Sequence, residues 1–351
     1  MGLWRVSFLI ALTLAIASRN AHAQDPTIDR LLSKLPPPEK LVKPSVQEAV
    51  QKQDAALKDP LVHTMVSELN RGNVSGGMNA ARALAKKYPK SAAAQEVEAL
   101  IAYLIHQYAE SGAALRRALA IQPNRSSAHA GLVLVELEQR HPAAALPHAR
   151  KVTELEPNYA NGWSLLSGCE EQVGHKEQSA VAARHAVKLA PSMVGAWAQL
   201  ARAENKLGHK DAAVEALTKA AEIAPDNAAL QATVGFSYIN MNRSPDAVKP
   251  LSHAARLTPN DYLVQSQLGY ALLMAGQTHA AIDHLRKGAS LKPSYGPVWE
   301  HLGLAYEKVG RQGEARDAFQ HAARLMPTNN VVRRHLAQGQ TAALPTPLSR
   351  R

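Results

Sequence analysis

A single cysteine, Cys169, excludes an internal disulfide framework in this 351-residue sequence. Other stretches of the chain carry Ala203, Ser237, Ala271 and Ala305 at the corresponding place, so Cys169 reads as a small buried packing residue and not as a reactive thiol. Aromatic residues are scarce, at 5% of the chain, and acids are outnumbered, leaving a formal net charge of +11. A basic balance draws nucleic acid, anionic surfaces or acidic partners. With so few aromatics, most of them at packing positions, no nucleic acid partner is expected. Long apolar runs are also missing. The run Val6–Ala17 falls short of the roughly 20 residues that span a bilayer. It follows the short basic start Met1–Arg5 and leads to Ala21-His22-Ala23, which is the layout of a secretory signal peptide cleaved after Ala23. The expectation is a periplasmic or secreted protein, with no integral membrane segment once the signal is removed.

Catalytic signatures are absent as well. The chain has no H-E-x-x-H, no paired C-x-x-C, no phosphate-cradling glycine loop and no G-x-S-x-G elbow. No enzyme activity, cofactor or metal is therefore expected. His141, His175 and His209, the most regular of the fifteen histidines, recur at one place of a repeated unit and read as solvated turn residues.

What the chain does have is a ruler of prolines. Pro89, Pro123, Pro157, Pro191, Pro225, Pro259, Pro293 and Pro327 stand 34 residues apart, so one supersecondary unit recurs without insertion. Numbering each unit so that the proline is its thirty-second residue brings the remaining pattern into register. The fourth place holds Trp163, Trp197 and Trp299; the seventh holds Leu132, Leu166, Leu200, Val234, Leu268 and Leu302; the eighth holds Gly235, Gly269 and Gly303. Apolar places spaced three or four apart lie on one face of a helix. Gly174, Gly208, Asn242, Gly276 and Gly310 at the fifteenth place are residue types that accept the left-handed conformation closing a helix. A second helix follows and stops before the proline, and the polar residue after it, such as Asn124 or Asp226, suits a turn or the next cap. Pro147 and Pro250 fall inside second helices and predict a late start or a kink there.

With Tyr238 and Tyr306 at the eleventh place, Ala or Ser at the twentieth and Phe319 at the twenty-fourth, the unit resembles the tetratricopeptide repeat, W-x2-L-G-x2-Y…A-x3-F…A…P. The resemblance spans roughly residues 58–337 and is strongest over 296–329. It is weakest over 58–91 and 92–125, where Thr64 and Glu98 replace the aliphatic seventh residue. It implies an all-α solenoid of seven to eight tandem helical hairpins, wound as a right-handed superhelix. The expected organisation is a signal peptide over 1–23, a proline-rich linker and short helix over 24–57, the array over 58–329, a capping helix over 330–338 and a disordered basic tail over 339–351.

In the resembling family the concave surface is lined by the second, fifth, ninth, twelfth and thirteenth places of each first helix. Carried over, these places give Arg202, Asn205 and Lys206, then Phe236, Ile239 and Asn240, then Tyr270, Leu273 and Met274 as partner-binding candidates. The apolar members lie outside the packing positions and are expected to form one exposed patch, with Phe236 beside Tyr270 and Ile239 beside Leu273. The lysine and asparagine clamp that some family members use for a carboxyl-terminal peptide is absent: the fifth and ninth places read Ala130, Leu134, Ser164, Gly168, Ala198 and Arg202. The resulting expectation is an exported scaffold that binds a protein or peptide in its groove within a cell-envelope assembly. A rival expectation is an accessory module that binds an envelope polysaccharide.

Overall fold

The computed structural model describes residues 54–341, and these form seventeen α-helices and no strand. Residues through Leu189 belong to one compact unit and residues from Ala190 to a second. The first unit contains α1 (Pro60–Asn70), α2 (Val74–Lys87), α3 (Ala92–Leu104), α4 (Tyr108–Ile121), α5 (Ser126–Glu138), α6 (Pro142–Leu155), α7 (Ala160–Val173) and α8 (Lys176–Leu189). The second contains α9 (Val194–Lys206), α10 (Lys210–Ile223), α11 (Ala228–Asn240), α12 (Val248–Leu257), α13 (Tyr262–Met274), α14 (Thr278–Leu291), α15 (Gly296–Lys308), α16 (Gln312–Leu325) and α17 (Asn330–Thr341). Eight hairpins result, each an odd-numbered helix and its successor, with α17 packed on the last. The signal peptide, the proline-rich linker and nearly all of the basic tail lie outside the described residues. Of the short helix expected before the array, the described part is a 3-10 turn, Ala55–Lys58.

Each hairpin turns at the fifteenth place, and all eight residues there have positive φ. The five residues anticipated from the sequence are joined by Gly72, His106 and Arg140. The geometry is that of a Schellman closure: the next N–H reaches back to the eleventh-place carbonyl, as from His141 to Glu136 at 2.7 Å and from Gln277 to Leu272 at 2.9 Å. Orphaned carbonyls at the end of the first helix are thereby satisfied, and the second helix begins two residues after the turn.

The prolines end the second helices through a partner that the sequence pattern disguised. Trp163, Trp197 and Trp299 each donate an indole N–H to the carbonyl of the proline six residues earlier, at 2.8 Å. His129, Gln265 and Arg333 occupy the same fourth place and bond the carbonyls of Pro123, Pro259 and Pro327 at 2.9, 3.0 and 3.0 Å. This place selects a donor as much as an apolar body, which is why tryptophan, histidine, glutamine and arginine all serve. The helix caps fall one residue later than the polar residue after proline: Ser91, Asn227, Asp261 and Asn329 accept from the first N–H groups of the following helices.

Between the two helices of a hairpin, the eighth and twenty-fourth places share one volume. A Cβ on Gly235, Gly269 or Gly303 would come within 2.4 Å of Leu251, 2.5 Å of Leu285 or 2.6 Å of Phe319. Where the first helix carries Val133 instead, the facing residue is Ala149, and both are buried. The core is filled by such exchanges, which keep packed volume constant.

Departures from the repeat have local remedies. Glu98, at an aliphatic place, is buried and paired with Arg117 at 2.7 Å. Thr64 is exposed on α1, and Met65 and Leu69 form the buried stripe in its stead. Other second helices start at the seventeenth place, but α12 starts at the twenty-first after a 3-10 turn, Ser244–Ala247, so that Pro250 falls in its first turn. Pro147 did not delay α6, which runs unbroken from Pro142 to Leu155. Pro147 and Ala143 both lie on the exposed face, so the carbonyl that loses its partner is within reach of water.

Arg140 holds a left-handed conformation, with φ 61°, that disfavours any residue with a Cβ. Arg140→Gly is therefore expected to stabilise the protein by about 0.5–1 kcal/mol in chemical denaturation, and a loss of stability would contradict this account of the turn. Conversely, Gly303→Ala drives a methyl into the Phe319 ring and should cost about 1–3 kcal/mol, with most of that cost removed in a Phe319→Ala background. Equal costs in both backgrounds would show that the two places do not share a volume.

Candidate interaction surface

On α9, Arg202, Asn205 and Lys206 are all exposed, and Arg202 donates to the Gln199 side chain at 2.8 Å. Asn240 is exposed at the end of α11. Phe236 and Ile239 are half-buried and pack against the apolar core of the second unit. Leu273 belongs to that core outright, with 1% exposure, and is not the surface residue expected. It lies one helical turn beyond the buried Gly269 and so shares its face, in a cluster that also takes in Ile239 and Leu304. Met274, one place further round α13, is 44% exposed. Of the apolar residues expected at the surface, Phe236 and Ile239 are therefore half-buried, Leu273 is in the core and Met274 is exposed.

Tyr270 is half-buried, but its ring partner is His301 on α15 and not Phe236: the two rings stack at 4.4 Å with 26° between planes. His301 Nδ1 is buried with no hydrogen-bond partner, and desolvation lowers the pKa of the ring from 6.5 to about 4. A neutral imidazole thus backs the tyrosine. The sixth place of the repeat had no assigned role, so nothing in the pattern marked His301.

A second apolar surface was missed altogether. In the first unit, Leu104 at the thirteenth place of α3 and Leu134 at the ninth place of α5 are each 40% exposed. Around them Leu100 and Leu137 are half-buried against the core, and Tyr103 donates to Glu138 at 3.3 Å. These are groove places by the same numbering that selected Phe236 and Met274. Their leucines were legible in the sequence as the absence of a clamp, and not as a surface.

The turn histidines are exposed, as expected, yet they are not merely solvated. His141, His175 and His209 each direct Nδ1 at a glutamate at the eleventh place, Glu136, Glu170 and Glu204, at 3.4, 2.7 and 2.9 Å. All three glutamates are buried, and Arg116 and Arg150 from the preceding hairpins pair with Glu136 and Glu170 at 3.4 and 3.0 Å. In the last repeat Tyr306 takes that place and accepts from Arg286 at 2.8 Å. Each histidine thus ties the turn of its own hairpin to a buried acid, and the arginines tie that acid to the hairpin before. Cys169 is fully buried and its thiol is pushed up to about 12 by desolvation, which leaves no thiolate for chemistry near neutral pH. Among the described residues no three His, Cys, Asp or Glu side chains converge as metal ligands, and no helix is long and apolar enough to cross a membrane.

The architecture is that of an α-solenoid of 34-residue hairpins, the class whose members present helix faces to other proteins. Family models described as tetratricopeptide repeat match residues 66–126, 194–300 and 296–329, so even the two repeats with the weakest pattern are included. The chain belongs to the tetratricopeptide repeat family. Among solved structures it is similar to the C-terminal part of a TPR repeat-containing protein from Cytophaga hutchinsonii, with 15% identity, a TM-score of 0.54, and coverage of 68% of this chain and 98% of that one. It is also similar to YrrB, described as a TPR protein with an unusual peptide-binding site, with 17% identity, a TM-score of 0.48, and coverage of 53% and 96%. These likenesses concern the fold. No curated protein sequence matches the chain.

The desolvated ring of the half-buried His301 has a consequence for stability against pH. In the unfolded chain its imidazole takes a proton near pH 6.5, whereas in the fold it stays neutral down to about pH 4. Between those values the unfolded state binds more protons, so stability falls as the pH drops through that window. His301→Phe, which keeps a ring against Tyr270, should flatten the fall between pH 6.5 and 4 in melting curves. An unchanged slope would mean that the ring is hydrated in solution.

Proposed function

We propose that this protein is an exported scaffold, without catalytic activity of its own, that holds a protein or peptide partner against the groove places of its first helices within a cell-envelope assembly. Membership of the tetratricopeptide repeat family supports the protein-interaction role. The observation that carries the groove reading is the exposure of Met274 one helical turn beyond Tyr270 on α13. Stacking of the hairpins does not need an apolar side chain at that exposed place, and a binding partner does. Arg202, Asn205, Lys206 and Asn240 supply the polar residues at groove places, and Arg202 and Lys206 favour a partner with acidic groups. The signal sequence supports export, and export supports an envelope partner over nucleic acid.

The test begins with capture from envelope extract by residues 24–351, followed by affinity measurement with the partner recovered. Met274→Asp with Tyr270→Ala should weaken that affinity at least about tenfold, because a desolvated aromatic anchor commonly contributes more than about 1 kcal/mol and a buried charge opposes docking. Arg202→Glu should weaken it in a manner that fades at high salt. Phe236 is a poorer target, since it packs on the core and its truncation would lower stability as well. If the triple change leaves affinity intact while the melting curve is normal, the partner binds elsewhere on the molecule.

A further inference from the structure

Between the last two repeats lies a cavity of about 500 Å³ that includes none of the groove places. Its floor is Trp299, Leu302 and Tyr306, the packing places of α15, and its walls are the second helices α14 and α16. Ser290 lines it at the twenty-ninth place, where one other repeat carries Ala120 and the rest carry long polar side chains such as Glu154, Lys188, Arg256 and Arg324. Long side chains at that place would lie across the opening, and serine leaves it clear.

The polar groups at the rim are unequal. Arg286 donates through Nε to the Tyr306 hydroxyl at 2.8 Å and lies 3.6 Å from Glu314, whose carboxylate is also held by Arg311. Asp317 is exposed at the rim, with no ion-pair or hydrogen-bond partner among the described residues. Two guanidiniums thus share Glu314, and Asp317 is the rim carboxylate left without a partner among the described residues. The Trp299 ring, stacked on His321 at 4.5 Å and fixed by its bond to Pro293, is a preorganised aromatic surface in the same lining as the free carboxylate.

We propose that this cavity receives an arginine side chain of a polypeptide partner. An apolar stem fits the lining of Leu302, Ala289 and Ala318, a planar guanidinium suits an aromatic wall, and Asp317 has both oxygens free for a paired hydrogen bond. Lysine lacks the planar fork, and a neutral side chain leaves Asp317 unanswered. The site shares no residue with the groove surface, so either can fail without the other.

The test uses residues 24–351 labelled with nitrogen-15 and reads the indole signals while Nα-acetyl-arginine methylamide is added, with the neutral isostere Nα-acetyl-citrulline methylamide as comparison. The Trp299 signal should move saturably with the arginine compound, those of Trp163 and Trp197 should stay in place, and the citrulline compound should leave all three unmoved. Asp317→Asn should weaken the response at least about threefold, in keeping with the loss of one ion pair. Ser290→Arg should abolish it by filling the cavity from within, with unchanged Trp163 and Trp197 signals reporting an intact fold. An unmoved Trp299 signal, equal binding of the citrulline compound, a uniform drift of all three indoles, or indifference to Asp317→Asn or Ser290→Arg would each overturn the assignment.

Discussion

The left-handed residue at the fifteenth place is the constraint from which the rest of each hairpin follows. It ends the first helix at a set point and allows only a short connection before the second begins, so the two helices meet in the same register in every repeat. Once that register is set, the eighth place always faces the twenty-fourth, and the residue types at the two can be exchanged only as a pair. Gly303 with Phe319 and Val133 with Ala149 are two solutions of one packing problem. That His106 and Arg140 accept the strained conformation shows how strongly the surrounding bonds dictate it.

Successive hairpins are joined by polar bonds laid over the apolar contacts. In most repeats the proline carbonyl at the end of one repeat is met by the fourth-place donor of the next, and Glu136, Glu170 and Tyr306 at the eleventh place are each met by an arginine from the repeat before. Burying a glutamate such as Glu170 is costly unless its oxygens are occupied, and here an arginine and a histidine occupy them. The arrangement lets a repeat depart from its apolar consensus without losing its place in the stack. It also leaves some groove places, such as those of Arg202, Lys206 and Met274, exposed, while Leu273 is drawn into the core.

Much of the fold was legible from particular residues. The eight prolines set the period, the glycines of the fifteenth place marked the turns, and Pro250 foretold the late start of α12. Pro147 did not delay α6, because the cost of an interior proline depends on whether the orphaned carbonyl reaches water, and that depends on which face of α6 is exposed. The candidate surface was harder. Met274 was found and Leu273, its neighbour in sequence, was wrongly grouped with it, since a rotation of about 100° about the helix axis separates the core from solvent. His301 escaped because the sixth place has no fixed residue type to betray a role, whereas Leu104 and Leu134 share the places of Met274 and Phe236 and differ from them only in what their own hairpins leave exposed.

The sequence by itself determined the period, the two-helix unit, the sites of the turns and the buried character of Cys169. All of these depend on interactions between residues close in the chain, or on a pattern that repeats often enough to average out exceptions. Tertiary structure alone decided which side chains at the groove places are covered, which arginine answers a buried glutamate, and where a cavity opens beside Ser290. Those outcomes depend on the volume and polarity of partners some twenty to thirty-five residues away, and a linear pattern does not record which neighbour fills a given space.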